Sequence, residues 1–122
     1  MKYDFIQEYC LSKKGTEEDY KASWDAIRYT VRGKIYALIG NDREGNHIIS
    51  VKLPPDFGLE LREQYAEITP GYHLNKTHWN SMLLGGKVPD EVLKKMLDSS
   101  YELIFQSLSK KVQAEIIGNY EL

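Results

Sequence analysis

The segment DAIRYTVRGKIYALIGNDREGNHIISVKL, residues 25–53, begins with apolar and polar side chains that alternate with a period of two. Between Ile27 and Val31 every second residue is apolar, which is typical of a strand with one buried face. The dipeptide Arg32-Gly33 predicts a tight hairpin, because glycine accepts the positive φ that such turns require. The turn NDREGN separates the nearly apolar run IYALIG from the run HIISVKL. The segment therefore predicts three antiparallel strands in a meander.

Helical patterns lie on both sides of this meander. A first helix is predicted from Tyr3 to Lys13, followed by the polar connector GTEEDY. Pro54-Pro55 ends the third strand, since proline donates no ladder hydrogen bond, and DFGLELREQYA then predicts a short second helix. Two further short strands are predicted near residues 68–72 and 79–84.

The clearest helical pattern begins near Pro89 and ends near Leu108. Its apolar stripe recurs at helical spacing and consists of Leu93, Leu97, Tyr101, Ile104 and Leu108. Residues 112–122 predict a further helical turn or a frayed tail. The element order α-β(3)-α-β(2)-α predicts a single α+β domain over residues 1–122, a two-layer α/β sandwich with an antiparallel sheet of about five strands.

The composition excludes several classes of protein. A single cysteine, Cys10, leaves no intramolecular disulfide and favours a reducing compartment. No apolar run is long enough to span a membrane, and MKYDFIQEYC lacks the apolar core of a signal peptide, so we expect a cytoplasmic protein. The net charge of −2 rules out a polycationic nucleic-acid binder, although residues 26–88 carry eight basic and six acidic side chains.

The segment TPGYHLNKTHWN, residues 69–80, concentrates polar and aromatic side chains. Its lysine, amides and rings suit contact with phosphates and bases. The alternative is a structural joint, in which Pro70-Gly71 sets a bend and the aromatic residues anchor the loop. The histidines are not spaced as a zinc motif, and no phosphate-binding glycine loop is present, so neither a metal nor a cofactor is predicted. Cys10 falls on the apolar face of the first helix, where cysteines are inert.

Three motifs give the chain a family resemblance. Pro-Gly-Tyr-His, Lys-x-His-Trp-Asn and, in the last helix, Ser-Tyr-Glu-Leu occupy residues 70–73, 76–80 and 100–103. Together with Cys10-Leu11 and the connector after Gly15, they make the chain similar to the MmcQ/YjbR family of small bacterial proteins. The resemblance implies a YjbR-like sheet similar to that of secretion chaperones. It also implies DNA binding, a label given to the family by analogy with a double-wing sheet.

These observations predict a non-enzymatic DNA-binding module, with a peptide- or protein-interaction module of the secretion-chaperone type as the alternative. The candidate nucleic-acid contacts are the basic residues of two strand ends and the polar and aromatic residues of the 69–80 segment: Arg32, Lys34, Lys52, Tyr72, His73, Asn75, Lys76, His78, Trp79 and Asn80. The partners predicted are DNA or a protein, with no membrane, metal or cofactor.

Overall fold

The computed structural model describes residues 3–71 and 75–118, and everything below concerns those residues. The helices there are α1 (Ile6–Leu11), α2 (Pro55–Gln64), α3 (Asp90–Gln106) and α4 (Lys110–Ile117). The strands are β1 (Thr16–Lys21), β2 (Ala26–Val31), β3 (Lys34–Asn41), β4 (His47–Lys52), β5 (Ile68–Pro70) and β6 (Trp79–Leu83). The strands form a single antiparallel sheet in the order β1-β2-β3-β4-β6-β5. The α+β fold predicted from the sequence is confirmed.

Two elements differ from the sequence prediction. The segment TEEDYK, predicted as part of a polar connector, is strand β1 and pairs along its whole length with β2. Its side chains are mostly exposed because β1 is an edge strand, so its own pattern carries little of the alternation that marks a buried strand. After α3, residues Lys110–Ile117 form a separate helix, which Ser109 caps by accepting the backbone N–H of Val112. The observed order is therefore α-β(4)-α-β(2)-α-α.

The register of the strands sorts side chains between two faces of the sheet, because directly paired residues point to the same side. One row across all six strands is apolar and faces the helices: Tyr20, Ile27, Ile39, Ile49, Met82 and Ile68. Helix α3 lies against this side with Leu93, Met96 and Leu97 fully buried. Burying three such side chains contributes several kcal/mol, at about 1.5–3 kcal/mol each. The predicted apolar stripe of α3 is thus the centre of the core.

The adjacent row points away from the helices and is mainly polar: Asp19, Arg28, Leu38, Ser50, Ser81 and Thr69. We call this side of the sheet the open face. Ser50 and Ser81 lie at its centre, and their hydroxyl groups share a hydrogen bond of 2.7 Å. The core contains residues from α1, α2 and α3, with Ile116 of α4 packed at its margin. No described helix covers the open face.

A β-bulge in β3 is fixed by a side chain of α3. Tyr29 pairs with Ala37 and Thr30 with Ile35, so Tyr36 is the extra residue. Its carbonyl oxygen accepts a hydrogen bond of 2.6 Å from Ser100 Oγ, which itself accepts one of 2.9 Å from the N–H of Lys52 in β4. The Ser100 hydroxyl thus bridges backbone groups of two neighbouring strands from a fully buried position.

We expect Ser100→Ala to lower the free energy of unfolding by about 1–3 kcal/mol, because it leaves buried backbone groups of Tyr36 and Lys52 without a partner. Chemical denaturation monitored by circular dichroism measures this loss. Ser99→Ala, one position earlier on α3, is the matched control and should change stability by less than about 0.5 kcal/mol. Equal effects of the two substitutions would contradict the assigned role of Ser100.

Candidate functional site

The loop between β5 and β6 begins with a close approach between Gly71 and Trp79. The N–H of Gly71 donates a hydrogen bond of 2.7 Å to the carbonyl oxygen of Trp79. A Cβ atom on Gly71 would lie 2.6 Å from the Cβ of Trp79 and 2.9 Å from its carbonyl oxygen. Only glycine fits this position without a shift of the backbone. The Pro-Gly pair of the motif is therefore needed to bring the two strands together.

The described residues of the loop after Gly71, from Asn75 onward, also form hydrogen bonds with one another. The Asn75 side chain accepts a hydrogen bond of 2.9 Å from the Thr77 N–H, and the Asn75 carbonyl accepts one of 2.8 Å from the Trp79 N–H. The ammonium group of Lys76 donates a hydrogen bond of 3.0 Å to the Gly71 carbonyl. Lys76 is nevertheless exposed and forms no ion pair with a described carboxylate. Lys76 therefore closes the loop and still presents its charge to solvent.

The end of the motif joins the loop to α2. Asn80 is only 1% exposed; its amide nitrogen donates to the carbonyl oxygen of His78, and its amide oxygen accepts from Arg62 Nη1. The same His78 oxygen accepts a hydrogen bond of 2.7 Å from the Leu53 N–H. Gly58 allows α2 to cross here, since a Cβ atom there would lie 2.9 Å from the Asn80 amide nitrogen. Asn80 is structural, which corrects the expectation that its amide faces a partner.

Two of the predicted basic contacts, Arg32 and Lys34, do not lie on the open face. Arg32 adopts a left-handed conformation, with φ of 51°, at the β2–β3 hairpin, and its guanidinium pairs with Glu115 of α4 at 3.2 Å. Lys34 donates a hydrogen bond of 3.2 Å to Ser107 Oγ at the end of α3. Both side chains thus contact the helical layer. The structure does not bring them together with the predicted residues of the open face.

Lys52 and Trp79 form a directly paired couple on the open face. Both are partly exposed, and Lys52 forms no ion pair with a described carboxylate. The open-face positions of β3, β4, β5 and β6 carry aliphatic residues, glycine, serine, threonine, Trp79 and Lys52, and none carries a carboxylate. Tyr72 and His73, also predicted as contacts, lie outside the described residues.

A groove of about 360 Å³ runs along the open face below Lys76. Its floor includes hydroxyl-bearing and apolar residues of the outer strands, namely Thr69, Ser81, Ile48 and Leu83. Its far rim is acidic, because Asp42, Glu44 and Glu67 also line it. The surface around Lys76 is therefore mixed in charge. The cation least opposed by acids on this face is Lys52.

Sequence reasoning missed a second group of open-face residues at the β1–β2 connection. Trp24 is half-exposed, with Lys21 Nζ and Arg28 Cζ each 5.6 Å from the centre of its ring. Arg28 is held by Asp19 through a hydrogen bond of 2.8 Å from Nε to Oδ1. The signal available in the sequence was an aromatic residue between basic ones just before the meander. This pattern indicates a site only when β1 is known to be a strand, because the pairing of β1 with β2 places the basic residues on one face.

The described residues give no support to a nucleophilic cysteine, a metal site or a membrane-spanning helix. Burial raises the pKa of the Cys10 thiol to about 11, so the group is protonated at neutral pH and is a poor nucleophile. Within residues 3–71 and 75–118, no three histidine, cysteine or carboxylate side chains converge as metal ligands. In the same part of the chain, no helix is both long enough and apolar enough to cross a membrane.

The fold and the joined β5–β6 loop define a small two-layer α+β domain, one sheet face of which is not covered by any described helix. The sequence model of the YjbR family matches residues 11–103. The chain belongs to the YjbR family.

Relatives and solved structures agree with this assignment. The chain is 32% identical over 97 residues to the Uncharacterized protein YjbR of Escherichia coli strain K12, covering 80% of this chain and 81% of that one. It is 31% identical over 111 residues to the Uncharacterized protein YyaQ of Bacillus subtilis strain 168, covering 80% of this chain and 93% of the other. The crystal structure of Deinococcus radiodurans protein DR2400, of the DUF419 domain family, superposes with a TM-score of 0.83 at 30% identity, covering 94% of this chain and 87% of that one.

We expect Gly71→Ala to lower the free energy of unfolding by about 1–3 kcal/mol, since the added methyl group must displace the Trp79 backbone. Thermal unfolding of the variant measures the effect. Gly85→Ala is the matched control, because a Cβ atom there meets nothing within 4 Å. A Gly71→Ala protein as stable as the control would show that the loop does not depend on this contact.

Proposed function

We propose that this protein is a non-enzymatic DNA-binding module that contacts DNA through the open face of its sheet. The observation that carries the proposal is the carboxylate-free half of that face, over β3 to β6, on which Lys52 lies beside Trp79. In a chain of net charge −2, the absence of carboxylates from these strand positions confines the acids Asp42, Glu44 and Glu67 to the rim, and the part of the face around Lys52 is acceptable to a polyanion.

The side chains of this half match the chemistry of a nucleic-acid backbone. Lys52 and Lys76 supply ammonium groups without carboxylate partners among the described residues, and each neutralises a phosphate. Thr69 offers a hydroxyl group at the exposed edge of the same face. Trp79 supplies a ring for stacking or for insertion between bases. Arg32 and Lys34 are not part of this surface.

The proposal requires a compartment that holds DNA and keeps thiols reduced. Cys10 is a buried free thiol, and the chain has no second cysteine with which it could pair. The bacterial cytoplasm satisfies both requirements. We therefore assign the protein to the cytoplasm as part of the same proposal.

Lys52→Gln tests the proposal directly. Removing one phosphate contact should reduce the slope of log K against log [salt] for duplex DNA by about 0.9. Fluorescence anisotropy with a labelled duplex, titrated at several salt concentrations, measures the slope. Lys52 is a cleaner test than Lys76, because Lys76 also holds the loop through the Gly71 carbonyl.

Lys34→Gln is the matched control, since it removes the same charge from the helical side of the sheet. Its slope should equal that of the unchanged protein. Identical slopes for both variants would remove the open face as the contact surface. Absence of duplex and single-strand binding at low salt would refute DNA binding altogether.

A second candidate function is peptide binding of the secretion-chaperone type, and the free edge of β1 favours it. Among the strands of residues 3–71 and 75–118, β1 pairs with β2 alone, and no described strand occupies its other side, where an added strand could pair. Glu17, Glu18 and Asp19 are exposed there and would select a basic extended peptide. Amide chemical shifts separate the candidates: DNA should perturb β4 and β6, whereas a lysine-rich extended peptide should perturb β1.

A further inference from the structure

Trp24 is held in a half-exposed position by a well-ordered turn. Its exposed fraction is 52%, although its neighbours fix the backbone tightly. Residues Ala22–Trp24 form a 3-10 turn that ends at Asp25, whose φ is 50° and whose N–H donates to the Ala22 carbonyl at 3.1 Å. The Tyr20 hydroxyl donates to Asp25 Oδ1 at 2.7 Å. The indole is therefore attached to a turn that is fixed by hydrogen bonds.

Cations flank the ring on the open-face side. Lys21 and Arg28 belong to open-face rows by register, and each lies 5.6 Å from the centre of the Trp24 ring. Asp19 neutralises Arg28, whereas Lys21 forms no ion pair with a described carboxylate. An exposed aromatic ring beside an unpaired ammonium is the combination that binds a base and its neighbouring phosphate.

Trp24 and Trp79 lie at diagonally opposite corners of the open face. Trp24 precedes the start of β2, and Trp79 begins β6, three strands away in the sheet order. By the strand register, three strand spacings of about 4.8 Å and the length of about four residues at 3.3 Å separate Trp79 from the start of β2, two residues after Trp24, which gives a diagonal of roughly 20 Å between those two points. Between them the face carries Leu38, Ser50 and Lys52 and no carboxylate.

We propose that the open face binds a single strand of nucleic acid, with one base stacked on Trp24 and another on Trp79. The inference rests on the proposed function and specifies its substrate class. Stacking on a side chain requires a base whose face is free, and a duplex keeps its bases stacked on one another. Two stacking rings on one cation-bearing sheet face therefore select a single strand, and the distance between them requires several nucleotides.

The chain has two tryptophans, so single-tryptophan variants report on each position separately. In Trp79→Phe all indole fluorescence comes from Trp24, and in Trp24→Phe it comes from Trp79. Titration with unlabelled oligodeoxythymidine of about 16 nucleotides should quench both variants, because stacked bases quench indole emission. Titration with a duplex of the same length should quench them less and bind more weakly.

Anisotropy with labelled oligodeoxythymidine measures affinity independently of quenching. Trp24→Ala should weaken binding by about 5- to 150-fold, the effect of losing one base–aromatic stack. Leu59→Ala removes an equally exposed apolar side chain from the helical layer and should leave affinity unchanged. Circular dichroism and thermal melting of Trp24→Ala establish that it is folded, and Trp24→Phe keeps a ring at the position if it is not.

The outcomes separate this inference from the proposed function. Oligodeoxythymidine binding without quenching of Trp24, or with unchanged affinity in folded Trp24→Ala, would overturn the stacking role of Trp24. Tighter binding of the duplex than of the single strand would overturn the substrate class and keep DNA binding. Failure of both nucleic acids to bind at low salt would refute the proposed function itself.

Discussion

The hydroxyl group of Ser100 joins the helical layer to the sheet at the bulge in β3. It donates to the Tyr36 carbonyl and accepts from the Lys52 N–H, so α3 is bonded to two adjacent strands at once. The neighbouring ring of Tyr101 packs edge-on against Tyr36 with centroids 5.4 Å apart. Because the Lys52 backbone is held from the core side, its side chain projects to the open face from a fixed point. The packing of one helix thereby positions the candidate binding surface on the opposite side of the sheet.

The strands and helices that bury a patterned face could be predicted from the sequence. Strands β2 to β4 and helix α3 each repeat apolar residues at their own period, and the Arg32-Gly33 turn has the expected left-handed backbone. β1 could not be predicted in this way, since TEEDYK has little to bury and becomes a strand by pairing with β2. The same limit applies to Trp24: its sequence neighbourhood alone gave no reason to single it out, and only the pairing of β1 with β2 places Lys21 and Arg28 on one face.

Composition indicated residues 69–80 as a candidate site, but the contacts that its side chains make depend on distant residues. In the described part of the motif at 69–80, the side-chain amides of Asn75 and Asn80 form hydrogen bonds within the loop and to Arg62. Glycine is a poor helix former, but Gly58 leaves room where α2 passes Asn80, since a Cβ atom there would lie 2.9 Å from the Asn80 amide nitrogen. Arg32 looked like a free cation at a turn, and Glu115 pairs with it from 83 residues away. Such contacts join separate elements and leave no mark in local spacing.

The distribution of charge shows why net charge was a weak guide to the partner. A strand sends alternate residues to opposite faces, so a sheet separates charges by face even when each segment is nearly neutral. Here the acids of the sheet lie mostly along β1, while the open-face positions of β3 to β6 carry none. Most of the apolar side chains that the sheet buries lie in the row that faces α3, and the open-face row contributes little buried apolar area. The stability of the fold therefore depends mainly on the row that faces α3. Lys52 and Trp79 on the open face can therefore serve recognition without weakening the core, and a mildly acidic chain can still present a surface suited to phosphates.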